Sequence, residues 1–261
     1  MLWLSYILLG MFAGVTAGLL GVGGGLIIVP VLALLLRGQG VGEDLVMHLA
    51  VGTSLATIAF TSLSSGYAHH RRGGVSWPVF ARLAPGIVVG AGLGAVAAAL
   101  LPAHGLRAVF GLFELAVAAQ LAFGRPPAPH RQLPGPIATG FVGTAIGAVS
   151  ALLGIGGGSL TVPYLVWCNV PIRTAVGTSA ACGLPIALAG AAGFVITGWN
   201  AAGLPPGASG FVVWPAVAGV AIASVAFAPL GAWIAHRVPT VALRRGFALF
   251  LVALAVKVLW G

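Results

Sequence analysis

Charge is nearly missing from this chain. Of its 261 residues only Glu43, Asp44 and Glu114 are acidic, charged residues make up 6%, and 59% are hydrophobic, with a mean hydropathy of +1.10. A soluble domain of this length needs charge on its outer faces, so the composition excludes one. The short alternating segments of a transmembrane β-barrel do not occur either. Cysteine is scarce. Cys168 and Cys182 lie in or beside apolar runs, which excludes a disulfide framework and reads as small buried hydrophobes. No nucleophile, base and orienting group stand in a catalytic pattern, and the adjacent Glu43 and Asp44 cannot face one another on a helix. The sequence therefore points away from an enzyme, and no cofactor is expected. His69 and His70, beside Arg71 and Arg72, read as a basic surface loop and not as a metal site. The opening MLWLSYILLGMFAG lacks the basic leader of a signal peptide and reads as a first helix.

What is present is a series of apolar runs separated by short basic gaps, with a net charge of +9. Arginine confined to such gaps is the pattern of a polytopic helical membrane protein, not of a nucleic-acid binder. Apolar segments are expected at 2–20, 24–36, 45–66, 77–101 and 106–124, and again at 136–153, 159–168, 172–197, 211–235 and 241–260. The stretch 125–136, RPPAPHRQLPGP, breaks any helix and divides a first repeat, 1–124, from a second, 137–261.

The two parts are copies. GVTAGLLGVGGGLIIVP, from Gly14 to Pro30, and GAVSALLGIGGGSLTVP, from Gly147 to Pro163, share nine of seventeen residues. Ala-Val-Gly-Thr-Ser occurs at 50–54 and again at 175–179. Five segments per copy is an odd number, so the second copy must enter the membrane from the opposite side. The expected fold is all-α, with two inverted-topology repeats. With the N-terminus outside, nine of the twelve Lys and Arg residues fall on the inner side, which favours both termini outside.

The segments after the glycine blocks are too short to span. Each is expected to start partway across the membrane, placing its glycine turn at depth, where bare backbone must be covered by protein or line a cavity. The first N–H groups of a helix lack internal partners and carry partial positive charge. Two such helix starts, approached closely through glycine, form an anion site without a charged side chain. The candidate binding residues are Gly23, Gly24 and Gly25, Gly156, Gly157 and Gly158, with the hydroxyls of Thr53, Ser54, Thr178 and Ser179. The latter follow Gly52 and Gly177, where the third segment of each copy is expected to bend or unwind.

A few isolated polar residues are candidates for the pathway or for coupling. Glu114 is an ionisable group in the middle of an apolar segment. His48 and Arg173 occupy matching positions before the Ala-Val-Gly-Thr-Ser blocks, at the mouths of two half-pathways. Cys182 follows Thr178 by one turn.

On the glycine blocks at Gly18–Pro30 and Ala151–Pro163 and the two Ala-Val-Gly-Thr-Ser blocks, the chain resembles the sulfite exporter TauE/SafE family, permeases for sulfur-containing anions. The resemblance covers essentially the whole chain. It implies transport across a bacterial or archaeal inner membrane, with sulfite or an organosulfonate as substrate and the glycine and Gly-Thr-Ser positions lining it. The expected partners are a small anion, the lipid bilayer and, for a coupled carrier, a proton; a homo-oligomer is open. An anion channel through the same pore, and a membrane-embedded enzyme or assembly subunit, stand as alternatives.

Overall fold

The structure is a computed structural model describing residues 2–20, 24–124, 131–235 and 240–260. In chain order its helices are α1 (Leu2–Leu20), α2 (Gly25–Gly38), α3 (Glu43–Arg71), α4 (Trp77–Leu100), α5 (Ala103–Phe123), α6 (Pro136–Leu153), α7 (Gly158–Trp167), α8 (Ile172–Thr197), α9 (Trp214–Ala235) and α10 (Thr240–Trp260). A small antiparallel hairpin, β1 (Ala208–Ser209) and β2 (Val212–Val213), precedes α9 and pairs Ala208 with Val213. Helix is the expected outcome for such runs, because it alone satisfies every backbone group within the segment. Local signals set the ends. Pro78 and Pro136 occupy first turns, where the missing N–H costs nothing. Glu43 and Asp44 lie in the first turn of α3 and His69, His70 and Arg71 in its last, each complementing the helix dipole.

Among the described residues, α3, α4, α5, α6, α8 and the Trp214–Gly231 part of α9 are long and apolar enough to cross a membrane. The all-α reading therefore holds. At 14 and 10 residues, α2 and α7 are the short helices expected after the glycine turns. At about 1.5 Å per residue they reach roughly 21 and 15 Å, against about 30 Å of hydrocarbon.

The long helices α3 and α8 pack on each other at the centre. From Val46 to Ile58 every residue of α3 is buried. Around them α1 packs on α9, α6 on α4 and α5 on α10. Two of these interfaces are glycine seams. On α4, Gly86, Gly90 and Gly94 face the carbonyls of Gly140, Thr144 and Ala148 on α6, while Gly143 and Gly147 of α6 face those of Leu83 and Ile87. On α1, Gly10 and Gly14 face the carbonyls of Val220 and Ser224 on α9, and the Ser224 hydroxyl donates to the Gly10 carbonyl at 2.9 Å. A methyl group at any of these glycines would overlap the facing backbone, so the seams are as close as two helices can come. Each joins a helix from before residue 124 to one from after residue 131.

Three expectations change. First, α3 runs on to Arg71, so Tyr67–Arg71 is helical and not a loop. Second, α3 and α8 pass through Gly52 and Gly177 without bending out of helix. A helix-interior glycine costs about 1 kcal/mol, and here it admits a neighbouring loop, as described below. Third, residues 211–213 belong to the hairpin turn and β2, and α9 starts at Trp214. Residues 125–130 of the proline-rich linker lie outside the described residues, and Pro136 begins α6.

Candidate functional site

The site begins with how α6 ends. Gly154 adopts a left-handed conformation, φ +69°, and the chain turns through Ile155 and Gly156 to Gly157, also left-handed at φ +68°, from which α7 starts. Side chains rarely accept these angles, so glycine is required at both. In the first copy Gly24 stands just before α2. Gly23 lies outside the described residues.

The start of α2 touches the second turn. The side-chain position of Gly25 points onto the Gly154 carbonyl, with the Ile155 Cα 2.8 Å away. Ile58 of α3 reaches both turns, with its Cδ1 3.2 Å from where a Gly25 Cβ would lie and its Cγ2 3.3 Å from that of Gly156. The Ser54 hydroxyl donates to the Gly154 carbonyl at 2.8 Å, fixing the second turn to α3.

Each turn leaves backbone donors over. The N–H groups of Ile27 and Ile28 bond to the Gly24 carbonyl at 3.0 and 2.9 Å, and those of Leu160 and Thr161 bond to the Gly157 carbonyl at 3.0 and 2.7 Å. The N–H groups of Gly25 and Leu26, and of Gly158 and Ser159, find no acceptor among the described residues. No acidic or basic residue occurs in either glycine block, so no charge within the blocks offsets these helix starts. Partial positive charge from two helix N-termini is thereby concentrated in one apolar neighbourhood, the arrangement that favours an anion.

Buried hydroxyls accompany the second turn. Ser150 of α6 and Thr161 of α7 are fully buried and their oxygens have no hydrogen-bond partner among the described residues. A Cβ on Gly157 would lie 3.3 Å from Thr161 Oγ1 and 3.9 Å from Ser150 Oγ. Sequence reasoning missed both. The signal was available in the repeat, where Ser150 and Thr161 stand opposite Ala17 and Ile28.

The Gly-Thr-Ser blocks serve several roles. Thr53 Oγ1 accepts the N–H of Val213 at 3.0 Å, and Thr178 Oγ1 accepts the N–H of Ser76 at 2.9 Å. One residue earlier, Gly52 packs on the Phe211 carbonyl and Gly177 on the Gly74 carbonyl. Each copy thus grips the loop before the fourth helix of the other in the same register. Ser54 holds the second turn, and Ser179, 2% exposed, has a hydroxyl without a partner. Thr53→Val leaves a buried N–H unsatisfied and Thr178→Val a part-buried one, and they are expected to destabilise the protein by about 1–3 kcal/mol, with the larger effect at Thr53. Thermal unfolding of the purified variants checks this, and unchanged melting temperatures would remove the loop-holding role.

The isolated candidates are dispersed. His48 Nε2 lies 3.0 Å from the Ala98 carbonyl and 3.2 Å from that of Leu101, so its N–H caps the end of α4, and its ring packs on Phe211. Arg173 is exposed at the start of α8. Cys182 is fully buried, next to Gly183, whose side-chain position lies 3.3 Å from the Gly156 carbonyl oxygen. Glu114 is fully buried on α5, with neither carboxyl oxygen hydrogen-bonded among the described residues. Three residues earlier Gly111 meets Leu259 of α10. The main neighbours of α5 are α10 and α3, so Glu114 stands apart from the turns. No group of three His, Cys, Asp or Glu residues is placed to hold a metal among the described residues.

Comparison with known proteins agrees with this architecture. The profile of the family described as "Sulfite exporter TauE/SafE" matches residues 6–258. A "Probable membrane transporter protein" of Haemophilus influenzae is 34% identical over 253 residues, covering 96% of each chain. One of the same description from Xylella fastidiosa is 30% identical over 259 residues, covering 96% of this chain and 92% of its own. "Probable membrane transporter protein YdhB" of Bacillus subtilis is 29% identical over 253 residues, covering 94% and 95%. No solved structure matches. With its apolar spanning helices and this match along nearly its whole length, the chain is a multi-pass membrane transporter and belongs to the sulfite exporter TauE/SafE family.

Proposed function

We propose that this transporter is a secondary carrier for a small anion, with sulfite or an organosulfonate as substrate, working by alternating access. The observation that carries the proposal is the meeting of the two glycine turns, with donor N–H groups on both and no charged side chain in either. The family match supports the substrate class. In this reading the copies are inverted, both termini lie outside the inner membrane, and the turns reach the site from opposite faces. The seams bear on how it would move. Rocking one whole copy against the other would open both α1–α9 and α4–α6, where backbones are in contact. Seamed pairs moving as units about the α3–α8 crossing keep those contacts, and that is the motion proposed.

Proteoliposomes test the function. Uptake of radiolabelled sulfite is expected to saturate and to be accelerated by unlabelled sulfite inside. Flux that does neither would indicate a channel, and flux no greater than through empty vesicles would overturn the proposal.

Glu114 is the proposed site of a coupling proton. Burying a carboxyl without partners is unfavourable, and its opposite number in the second copy is Leu251. Glu114→Leu is expected to stabilise the protein by about 1–3 kcal/mol, to abolish accumulation driven by a pH gradient, and to spare sulfite counterflow. A lower melting temperature would show that the carboxyl makes a stabilising contact. Intact proton-driven accumulation would remove it from coupling.

A further inference from the structure

The two turns are not equal. Four residues beyond the glycine before α2, Ile28 places its Cδ1 3.1 Å from the Gly24 side-chain position. Four residues beyond the glycine before α7, Thr161 places its Oγ1 3.3 Å from that of Gly157. The Gly24 position meets only hydrocarbon, Ile28 and Ala13, whereas the Gly157 position meets the Ile186 Cδ1 at 2.5 Å and, beyond it, the Thr161 and Ser150 hydroxyls. The contrast continues around it, with Ala17 opposite Ser150 and Leu26 opposite Ser159. Ile58 adds a further apolar group between the turns.

Thr161 also differs from several other helical threonines of this chain, and with Ser150, Ser159, Tyr164 and Ser179 it is one of the hydroxyls without a partner among the described residues. Four helical threonines donate to the carbonyl one turn back: Thr16 to Phe12, Thr57 to Thr53, Thr144 to Gly140 and Thr197 to Gly193, at 2.8 to 3.2 Å. Thr161 does not. The carbonyl it would use, that of Gly157, already accepts two N–H groups, and the Thr161 hydroxyl, fully buried, has no partner. Ser150 is in the same condition beside it. A buried hydroxyl left unpaired is unfavourable, and two of them flank a helix start whose own N–H groups are unpaired.

From this asymmetry we infer that Ser150 and Thr161 are substrate ligands and that the anion is held off-centre. Its oxygens face the second turn, where the two hydroxyls and the Gly158 and Ser159 N–H groups donate. Its opposite side faces the hydrocarbon of Ile28, Leu26 and Ile58. The substrate class that fits has its oxygens on one face and a lone pair or an alkyl group on the other, as in a pyramidal oxyanion or a sulfonate. A tetrahedral anion with oxygen on every side would set one oxygen against the apolar wall without a donor. This inference rests on the anion-carrier reading and adds the orientation and the ligands.

Calorimetric titration of the purified full-length protein with sulfite, methanesulfonate and sulfate tests it. Wild type is expected to bind sulfite and methanesulfonate at least about tenfold more tightly than sulfate. Thr161→Val and Ser150→Ala are each expected to weaken both by about tenfold or more, since each removes a hydrogen bond to a charged group. Thr161→Ser, which keeps the hydroxyl, should restore affinity. Thr197→Val, whose hydroxyl serves its own helix, should bind as wild type does. Ile28→Thr, which gives the first turn a hydroxyl, should narrow the discrimination against sulfate even if a loss variant fails to fold. Unchanged affinities in Thr161→Val and Ser150→Ala would overturn the ligand assignment and leave the carrier reading standing. Wild-type protein that binds none of the three anions would overturn both.

Discussion

Gly25→Val is expected to abolish transport and to leave little folded protein in the membrane. Gly25 is the first residue of α2, and its side-chain position falls on the Gly154 carbonyl and 2.8 Å from the Ile155 Cα. Both are backbone, so no rotamer change relieves the overlap. The helix start and the second turn must separate, and the Ser54 bond to the Gly154 carbonyl goes with them. Overpacking in a well-filled core commonly costs about 1–3 kcal/mol, and a backbone collision with a branched side chain belongs at the upper end or beyond. Gly24→Ala is the contrast. Its Cβ would meet chiefly the tip of Ile28, 3.1 Å away, and a small shift of that side chain accommodates it. Melting temperature and sulfite counterflow, measured on both variants, separate the two positions. A Gly25→Val protein with the stability and flux of wild type would mean that the turns do not meet.

The second large effect is expected at the loop contacts. In Gly177→Ala the added methyl would enter the Gly74 carbonyl and lie 2.7 Å from its carbon, and in Gly52→Ala it would enter the Phe211 carbonyl and lie 3.0 Å from the Phe194 Cβ. Each loop would have to lift, and the neighbouring Thr178 or Thr53 would lose the N–H it accepts. The two losses act together, so each alanine variant is expected to cost more than the corresponding Thr→Val change. Destabilisation of about 3 kcal/mol or more, read as a fall in melting temperature and in membrane expression, is the expected outcome. Glycine-to-alanine changes that raise stability, as they often do in ordinary helix interiors, would contradict the contact. The roughly matched behaviour of the two positions would also report on the likeness of the two copies.

Much of this is legible in the sequence. Long apolar runs set helix positions to within a few residues, because lipid leaves the backbone no alternative. The second glycine block is legible as a turn because it recurs beside a segment too short to span. What escaped was decided by tertiary neighbours. Tyr67–Arg71 looked like a loop from its polarity, yet α3 carries these residues on to Arg71. Gly52 and Gly177 looked like breaks, but their lack of a side chain makes room for another segment's carbonyl and leaves the helix intact. The threonines beside them, candidates for the anion on sequence, also accept loop N–H groups, a role set by a segment more than 100 residues away. The Gly86, Gly90 and Gly94 row of α4 carried a packing signal at four-residue spacing, whose partner helix only the fold identifies. Ser150 and Thr161 were hidden for another reason. A serine or threonine in an apolar run is ordinary until its usual backbone acceptor is found to be occupied elsewhere.

Hydrogen–deuterium exchange of the purified protein, with and without saturating sulfite, bears most directly on the claim that amide protons at two converging turns hold the anion. Sulfite is expected to slow exchange in peptides from 14–30 and 147–163 together, at one and the same midpoint concentration, and to leave the seams between α1 and α9 and between α4 and α6 unchanged. Protection confined to the loops, or confined to one block while the other exchanges freely, would contradict it.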